Sequence, residues 1–226
     1  WHLMDMSLYR PLPRQYKKSP WFTLITSRGC WWRKCTFCFQ AGRKAVTYRR
    51  QSPERVVKEL EILYHQYGIR EVNFFDDTFV INEKWLIKFG QLLKEKGIDI
   101  CWTGSGRADA LKEGVLKAAK DSGCWSIFIG VESGDQGLIN SIDKGITIEQ
   151  VKKVFHTTKK LGIETRGAFM LGLPKETPEL GKKTIDFAME LDPTYAIFYA
   201  THPRRGTLLY EEALTLLKKM GLSDKA

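Results

Sequence analysis

Short apolar runs alternate along this chain with longer stretches in which apolar residues recur every third or fourth position, a succession that predicts strands and helices in turn. Residues 22–26 (Phe-Thr-Leu-Ile-Thr) read as the first strand. Ser52 and Pro53 then supply an N-cap and a first-turn proline, and Val56, Val57, Leu60, Leu63, Tyr64 and Tyr67 follow at helical spacing up to Gly68. A strand at 71–75, a helix capped by Asn82 and running to 96–97, a strand at 98–102 and a helix over 111–121 come next. Residues 126–131 form the fourth strand, and Thr147-Ile148-Glu149-Gln150 is a capping box that opens a helix ending near Gly162. A strand at 165–171, a helix opened by Thr177-Pro178, a strand at 195–199 and a helix over 208–220 complete six strand–helix units.

Such alternation implies an α/β fold with parallel strands and right-handed crossovers, as either an open doubly wound sheet or a partial (β/α) barrel. No long glycine-rich loop follows the first strand, which weakens a dinucleotide-binding reading. In both architectures functional groups collect at the carboxyl ends of strands. The segments there are Cys30–Cys38, Asp76-Asp77-Thr78, 103–107 with Arg107, Glu132-Ser133-Gly134, Gly172-Leu173-Pro174 and 201–207. Polar, charged and glycine residues concentrate in them.

Composition narrows the class. The chain has 226 residues, 43% of them hydrophobic, enough for one large core. No apolar run approaches a membrane span, and the first residues lack a signal-peptide pattern, so a cytoplasmic protein is expected. The first residue is Trp1, so residues 1–20 are read as a lead-in from an upstream domain and 21–226 as the core domain. The net charge of +10 arises in part from Arg10, Arg14, Lys17 and Lys18, and from Arg33, Lys34, Arg43, Lys44, Arg49 and Arg50 around the cysteines. Nucleic acid is one partner that such charge would suit, but a solvated rim or a docking face ranks above it.

Five cysteines, three of them on one short loop, do not form a disulfide framework, and a reducing compartment fits better. Cys101 and Cys124 sit among apolar neighbours and read as small buried hydrophobes. Cys30, Cys35 and Cys38 read as a metal site: three thiolates can hold three irons of a [4Fe–4S] cube and leave the fourth iron open. Zinc ranks second, because a closed zinc site needs a fourth ligand and neither His2 nor His65 stands at ligand spacing.

A set of motifs in order carries a family resemblance: Tyr9-Arg10-Pro11, Ser27-Arg28-Gly29-Cys30, Cys35-Thr36-Phe37-Cys38, Asp76-Asp77-Thr78-Phe79, Gly130-Val131-Glu132-Ser133-Gly134, Gly172-Leu173-Pro174 and Gly206-Thr207. With them the chain resembles the radical S-adenosylmethionine (SAM) core domain along nearly its whole length, most closely cores that follow a cobalamin-binding domain. The resemblance implies a partial (β/α)6 TIM-type barrel. It also implies a [4Fe–4S] cluster on Cys30, Cys35 and Cys38, with SAM chelating the fourth iron. One electron would then cleave the sulfonium to a 5′-deoxyadenosyl radical, or to a related methyl-transfer intermediate where cobalamin is bound by the absent domain. A small-molecule substrate and an electron donor such as flavodoxin or ferredoxin are implied too.

Residue by residue, the resemblance puts Phe37 near the adenine and Asp76 and Asp77 at the SAM amino group, one of the two having only a turn role. It puts Glu132 and Ser133 at the methionyl or ribose part, Lys144 and Arg107 near the SAM carboxylate, and Leu171 with Gly172 and Pro174 at the adenine wall. Two departures stand out. Four residues separate Cys30 from Cys35 where most members have three, a difference a loop absorbs at modest entropic cost. Pro203-Arg204-Arg205-Gly206-Thr207 is also longer than the usual Pro-Gly-Thr. The competing readings are a tRNA-modifying methylthiotransferase-like enzyme, which would need a second cluster domain, and a non-catalytic barrel that binds zinc and RNA.

Overall fold

Six strands line up in parallel in the computed structural model, which describes residues 5, 8, 16–41 and 47–221. They are β1 (Trp21–Leu24), β4 (Glu71–Phe74), β5 (Cys101–Gly106), β6 (Cys124–Glu132), β7 (Glu164–Leu171) and β8 (Tyr195–Ala200), in that spatial order. The outer strands β1 and β8 do not pair with each other, so the sheet is the open, partial (β/α)6 TIM-type barrel that was expected. Tyr9-Arg10-Pro11, Arg10, Arg14, Arg43 and Lys44 lie outside the described residues.

Helices cover the outer face of the sheet because their apolar stripes need it. α1 (Pro53–Tyr67), α2 (Glu83–Glu95), α3 (Glu113–Asp121), α5 (Ile148–Lys160) and α6 (Pro178–Leu191) start at side-chain caps from Ser52, Asn82, Thr147 and Thr177, α3 alone lacking one. Thr147 and Gln150 form the predicted capping box. Between helices and sheet lies one core, within which Phe74, Phe79, Phe89 and Trp102 are among the largest fully buried side chains. Phe79 stacks on Phe74 at 3.9 Å, and its backbone N–H donates to the Ser105 carbonyl, which holds the turn after β4 against β5.

Three features were not legible in the periodicity. β1 stops at Leu24, and the chain turns into a two-stranded antiparallel ribbon of β2 (Ser27–Arg28) and β3 (Arg49–Arg50), which closes the cysteine loop at its two ends. Arg50 turns inward there and stacks on Trp85 at 3.6 Å. A short helix, α4 (Gln136–Ser141), follows β6 and is too brief to show a period. The last helix, α7 (Leu208–Lys219), buries only Leu209 and joins its first turn to the cysteine loop, leaving β8 largely exposed. The third predicted helix also starts later than expected, at Glu113, because the Leu111 N–H is taken by the Arg107 carbonyl in a turn.

Candidate functional site

The cysteine loop leaves β2 at the carboxyl end of β1, and its root is held by Asp76. That buried carboxylate accepts from the Thr26 backbone N–H at 3.0 Å, from the Thr26 hydroxyl at 3.2 Å and from the Ser27 hydroxyl. Its own carbonyl accepts from the Ser105 hydroxyl at 2.6 Å. Asp76 therefore fixes where the loop starts. Asp77 beside it is exposed and accepts from the Gln40 side-chain amide at 2.8 Å, which ties the far end of the loop to the same rim.

The middle of the loop is stitched to its neighbours. Thr36 donates its N–H to the Ile142 carbonyl after α4 and accepts at its own carbonyl from Leu209 N–H of α7. Trp32, within the longer Cys30–Cys35 segment, donates its indole N–H to the Asp143 carbonyl at 2.7 Å. Its ring fills the space over Gly145, where a Cβ would meet the ring at 1.9 Å, and Gly145 has φ of +67°. The added length is thus used as an anchor. Phe37 packs on Leu138, Ile142, Met170 and Leu173.

Cys35 is buried, and Cys30 and Cys38 are half-buried. Burial pushes the Cys35 thiol up, against the pull of Lys144 and Arg107, and burial pushes Cys38 up as well. Metal loading would drive those protons off. Among the described residues no three His, Cys, Asp or Glu groups form a site for a single ion. The donor set, three thiols on one loop beside two cations, fits a cluster.

Across from the loop, Lys144 and Glu132 form a buried ion pair at 2.6 Å. Glu132 has φ of +69° at an irregularity in the β6–β7 register, a costly conformation for a non-glycine residue that aims its carboxylate back along the strand. The pair lies over Gly130, where a Cβ would meet Glu132 Oε1 at 2.6 Å and Lys144 Nζ at 2.8 Å. Arg107 is buried between the loop and Lys144. Its Nε and one terminal nitrogen donate to Asp109 at 3.2 Å each, and its guanidinium reaches the Lys144 carbonyl at 2.6 Å and Cys35 Sγ at 3.7 Å.

The structure thus brings Cys30, Cys35, Cys38, Phe37, Asp76, Asp77, Arg107, Glu132 and Lys144 to one rim. Two expected residues have other surroundings. Ser133 is fully buried, with its hydroxyl shared with Thr184 at 3.0 Å and accepting from Asp135 N–H. The Leu171 side chain faces outward, 3.9 Å from where a Cβ on Gly181 of α6 would stand, and its carbonyl accepts from Thr201 N–H. Arg204 and Arg205 are exposed. Trp32, Asp109 and Gly145 were missed by sequence reasoning, and Gly130 was seen only as part of a motif; the Arg107-x-Asp109 spacing at a strand end was a usable signal.

Below the rim a cavity of about 420 Å³ runs into the barrel between Asp77, Ser105, Asn73, Ser126, Phe128 and Arg166. Asn73, Thr103 and Ser126 occupy one row across β4, β5 and β6, a polar layer where a plain core would be apolar. This is room for small-molecule chemistry beside the cysteine loop.

Comparison with known proteins agrees with this geometry. The profile of the radical SAM superfamily matches residues 24–188. An uncharacterized methyltransferase of Pyrococcus horikoshii is 41% identical over 195 residues, covering 86% of this chain and 42% of that protein. The anaerobic magnesium-protoporphyrin IX monomethyl ester cyclase of Rubrivivax gelatinosus is 28% identical over 94% of this chain and 38% of its own length. Among solved structures, the radical SAM methyltransferase TsrM of Kitasatospora setae, with cobalamin and a [4Fe–4S] cluster bound, superposes with a TM-score of 0.74 at 21% identity, covering 89% of this chain and 41% of that one. The chain spans about two fifths of the length of these relatives.

Proposed function

Since the chain belongs to the radical SAM superfamily, we propose that it is the cluster- and SAM-binding core of a methyl-transferring enzyme that works with cobalamin held by another part of the protein. The observation that carries this reading is the meeting of three loop thiols with the buried Glu132–Lys144 pair at the carboxyl rim of an open barrel. The methyltransferase relative at 41% identity supports the reaction class, and the cobalamin named with TsrM supports the second cofactor. A ring-forming reaction is the second reading, supported by the cyclase relative that aligns over 94% of this chain.

When bound, the cluster and SAM supply one-electron cleavage of a sulfonium and with it the reactive carbon species. This chain's residues position and shield that chemistry. Cys30, Cys35 and Cys38 would hold the cluster, and Asp77, exposed on the same rim, offers an acceptor for an ammonium. Lys144 offers a cation to a carboxylate, while Glu132 holds that cation in place. Phe37, packed on Leu138, Ile142, Met170 and Leu173, would help keep water from the loop. The cavity would admit the substrate from the open side of the barrel.

An acidic electron carrier such as flavodoxin or ferredoxin would be drawn to the basic residues Arg33 and Lys34 beside the loop. Five cysteines, all free among the described residues, favour the cytoplasm as its place of work, and no helix among them is long and apolar enough to cross a membrane. Within the described residues Cys101 and Cys124 offer no second cluster site, since they lie apart from the loop at the starts of β5 and β6.

Anaerobic reconstitution tests the proposal. Roughly four irons per chain, a broad visible absorption and a change in the spectrum of the reduced cluster on adding SAM are expected. Iron binding without any response to SAM would overturn the catalytic reading, and zinc in place of iron would overturn it entirely.

A further inference from the structure

We propose that Arg107 is a positioning residue for the Cys35 thiolate, and that its role is to ease electron uptake by the cluster. This rests on the radical SAM reading, yet it differs from the SAM-carboxylate role that the family resemblance implies.

All three nitrogens of Arg107 are committed. A guanidinium recognises a carboxylate through two parallel N–H groups. Here the pair formed by Nε and Nη2 is already on Asp109, at 3.2 Å to each oxygen. The other edge is divided: Nη2 donates to the Lys144 carbonyl at 2.6 Å and Nη1 lies 3.7 Å from Cys35 Sγ. Both indole rings of the loop crowd it from one side, with the guanidinium carbon 4.8 Å from the Trp32 ring centre and 5.4 Å from that of Trp31. No edge remains for a second bidentate carboxylate.

What this fixed guanidinium does offer is an N–H and a positive charge beside a buried sulfur. The side chain is 5% exposed, so solvent screens the charge poorly. Asp109 grips the guanidinium by the edge that carries Nε, away from the Nη1 that meets Cys35, and so orients the charge without standing between it and the sulfur. Hydrogen bonds and positive charge near cluster sulfurs stabilise the reduced form, which carries one more negative charge. Lys144 acts on the same sulfur through its charge, but its ammonium is held by Glu132 at 2.6 Å, whereas Arg107 also brings an N–H to the sulfur. The longer Cys30–Cys35 segment serves the same end: it lets Trp32 reach its seat over Gly145 and close one face of Arg107.

The test uses the full chain with its cluster rebuilt anaerobically, and compares wild type with Arg107→Gln and Arg107→Lys. The midpoint potential is read by dye-mediated titration with dithionite, without SAM, and SAM affinity is measured separately. A potential shifted to more negative values in Arg107→Gln, a smaller shift in Arg107→Lys, altered g-values of the reduced cluster, and SAM affinity within about threefold of wild type are expected. An unchanged potential together with a loss of SAM affinity of about tenfold or more would overturn the proposal and return Arg107 to the SAM carboxylate. Should Arg107→Gln fail to hold iron, Arg107→Lys decides alone by the same two readings. Failure of the radical SAM reading itself would show separately, as a wild-type chain that takes up no cluster.

Discussion

Lys144 Nζ stands 2.6 Å from Glu132 Oε1 with both side chains more than nine-tenths buried, so solvent cannot readily replace this ion pair. The other cation there, Arg107, is held by Asp109 and by backbone. Breaking a buried pair by removing one partner leaves an unpaired charge, at a cost of about 3–5 kcal/mol. Lys144→Met is therefore expected to lower stability in urea by that order and to abolish SAM binding. The double variant Lys144→Met/Glu132→Leu should be less destabilised than the sum of its single changes, because no charge is stranded. Additive effects would show that the pair is not coupled.

Gly145 is expected to tolerate no side chain. A Cβ would displace the Trp32 ring, and φ of +67° adds backbone strain for any other residue. Gly145→Ala should cost about 1–3 kcal/mol. It should also speed loss of iron from the reconstituted chain, read as bleaching under a chelator. Trp32→Ala in the same background should remove most of the steric part of the stability loss, and failure to do so would place the strain elsewhere.

Cysteine alkylation of the metal-free chain should separate the five thiols. Burial and the neighbouring Glu71 carboxylate push Cys101 up to about 12, and full burial pushes Cys124 up as well. The thiolate is the reactive form, so at pH 8 Cys101 should react slowly, its rate rising about tenfold for each pH unit below its pKa. Cys30 and Cys38 should be modified first by iodoacetamide and should be protected once the cluster is loaded. Early labelling of Cys101 would show that its contact with Glu71, at 3.4 Å, does not persist.

Asp135 caps α4 by accepting from Leu138 N–H at 3.0 Å and also meets Lys183 at 2.8 Å. Its pKa is lowered, chiefly by the Lys183 hydrogen bond and then by backbone N–H groups. A lowered carboxylate contributes stability that is present above its unfolded value, near 3.9, and is lost as pH falls through the lower folded value. Asp135→Ala should cost about 1 kcal/mol at neutral pH, and the difference from wild type should shrink below about pH 4. Because α4 leads to the Ile142 carbonyl that holds Thr36, iron retention should weaken in parallel. A pH-independent difference would assign the loss to packing.

How far the sequence reached depended on what each feature needed. Caps and turns are local chemistry, and Ser52, Asn82, the Thr147–Gln150 box and Thr177 stand where the residue types put them. Asp76 shows the limit. A carboxylate at a strand end looks like a ligand group, but its neighbours Thr26 and Ser27, about 50 residues earlier in the chain, take up its lone pairs. Ser133 is similar, since Thr184 of α6 claims its hydroxyl. Leu171 was placed on the right strand, and the alternation of side chains across a sheet turns it outward.

By itself the sequence determined the periodic elements, their parallel order and the three-cysteine loop, because hydrophobic period and cysteine spacing are properties of neighbouring residues. Only the tertiary structure decided which charges meet. Arg107 faces Cys35 across a separation of 72 residues, Lys144 lies on Glu132, and Trp32 sits over Gly145, because close contact in a folded chain depends on the path of the backbone between the partners. The longer Cys30–Cys35 spacing, a departure when read along the chain, becomes in three dimensions the reach that Trp32 needs to lock the loop.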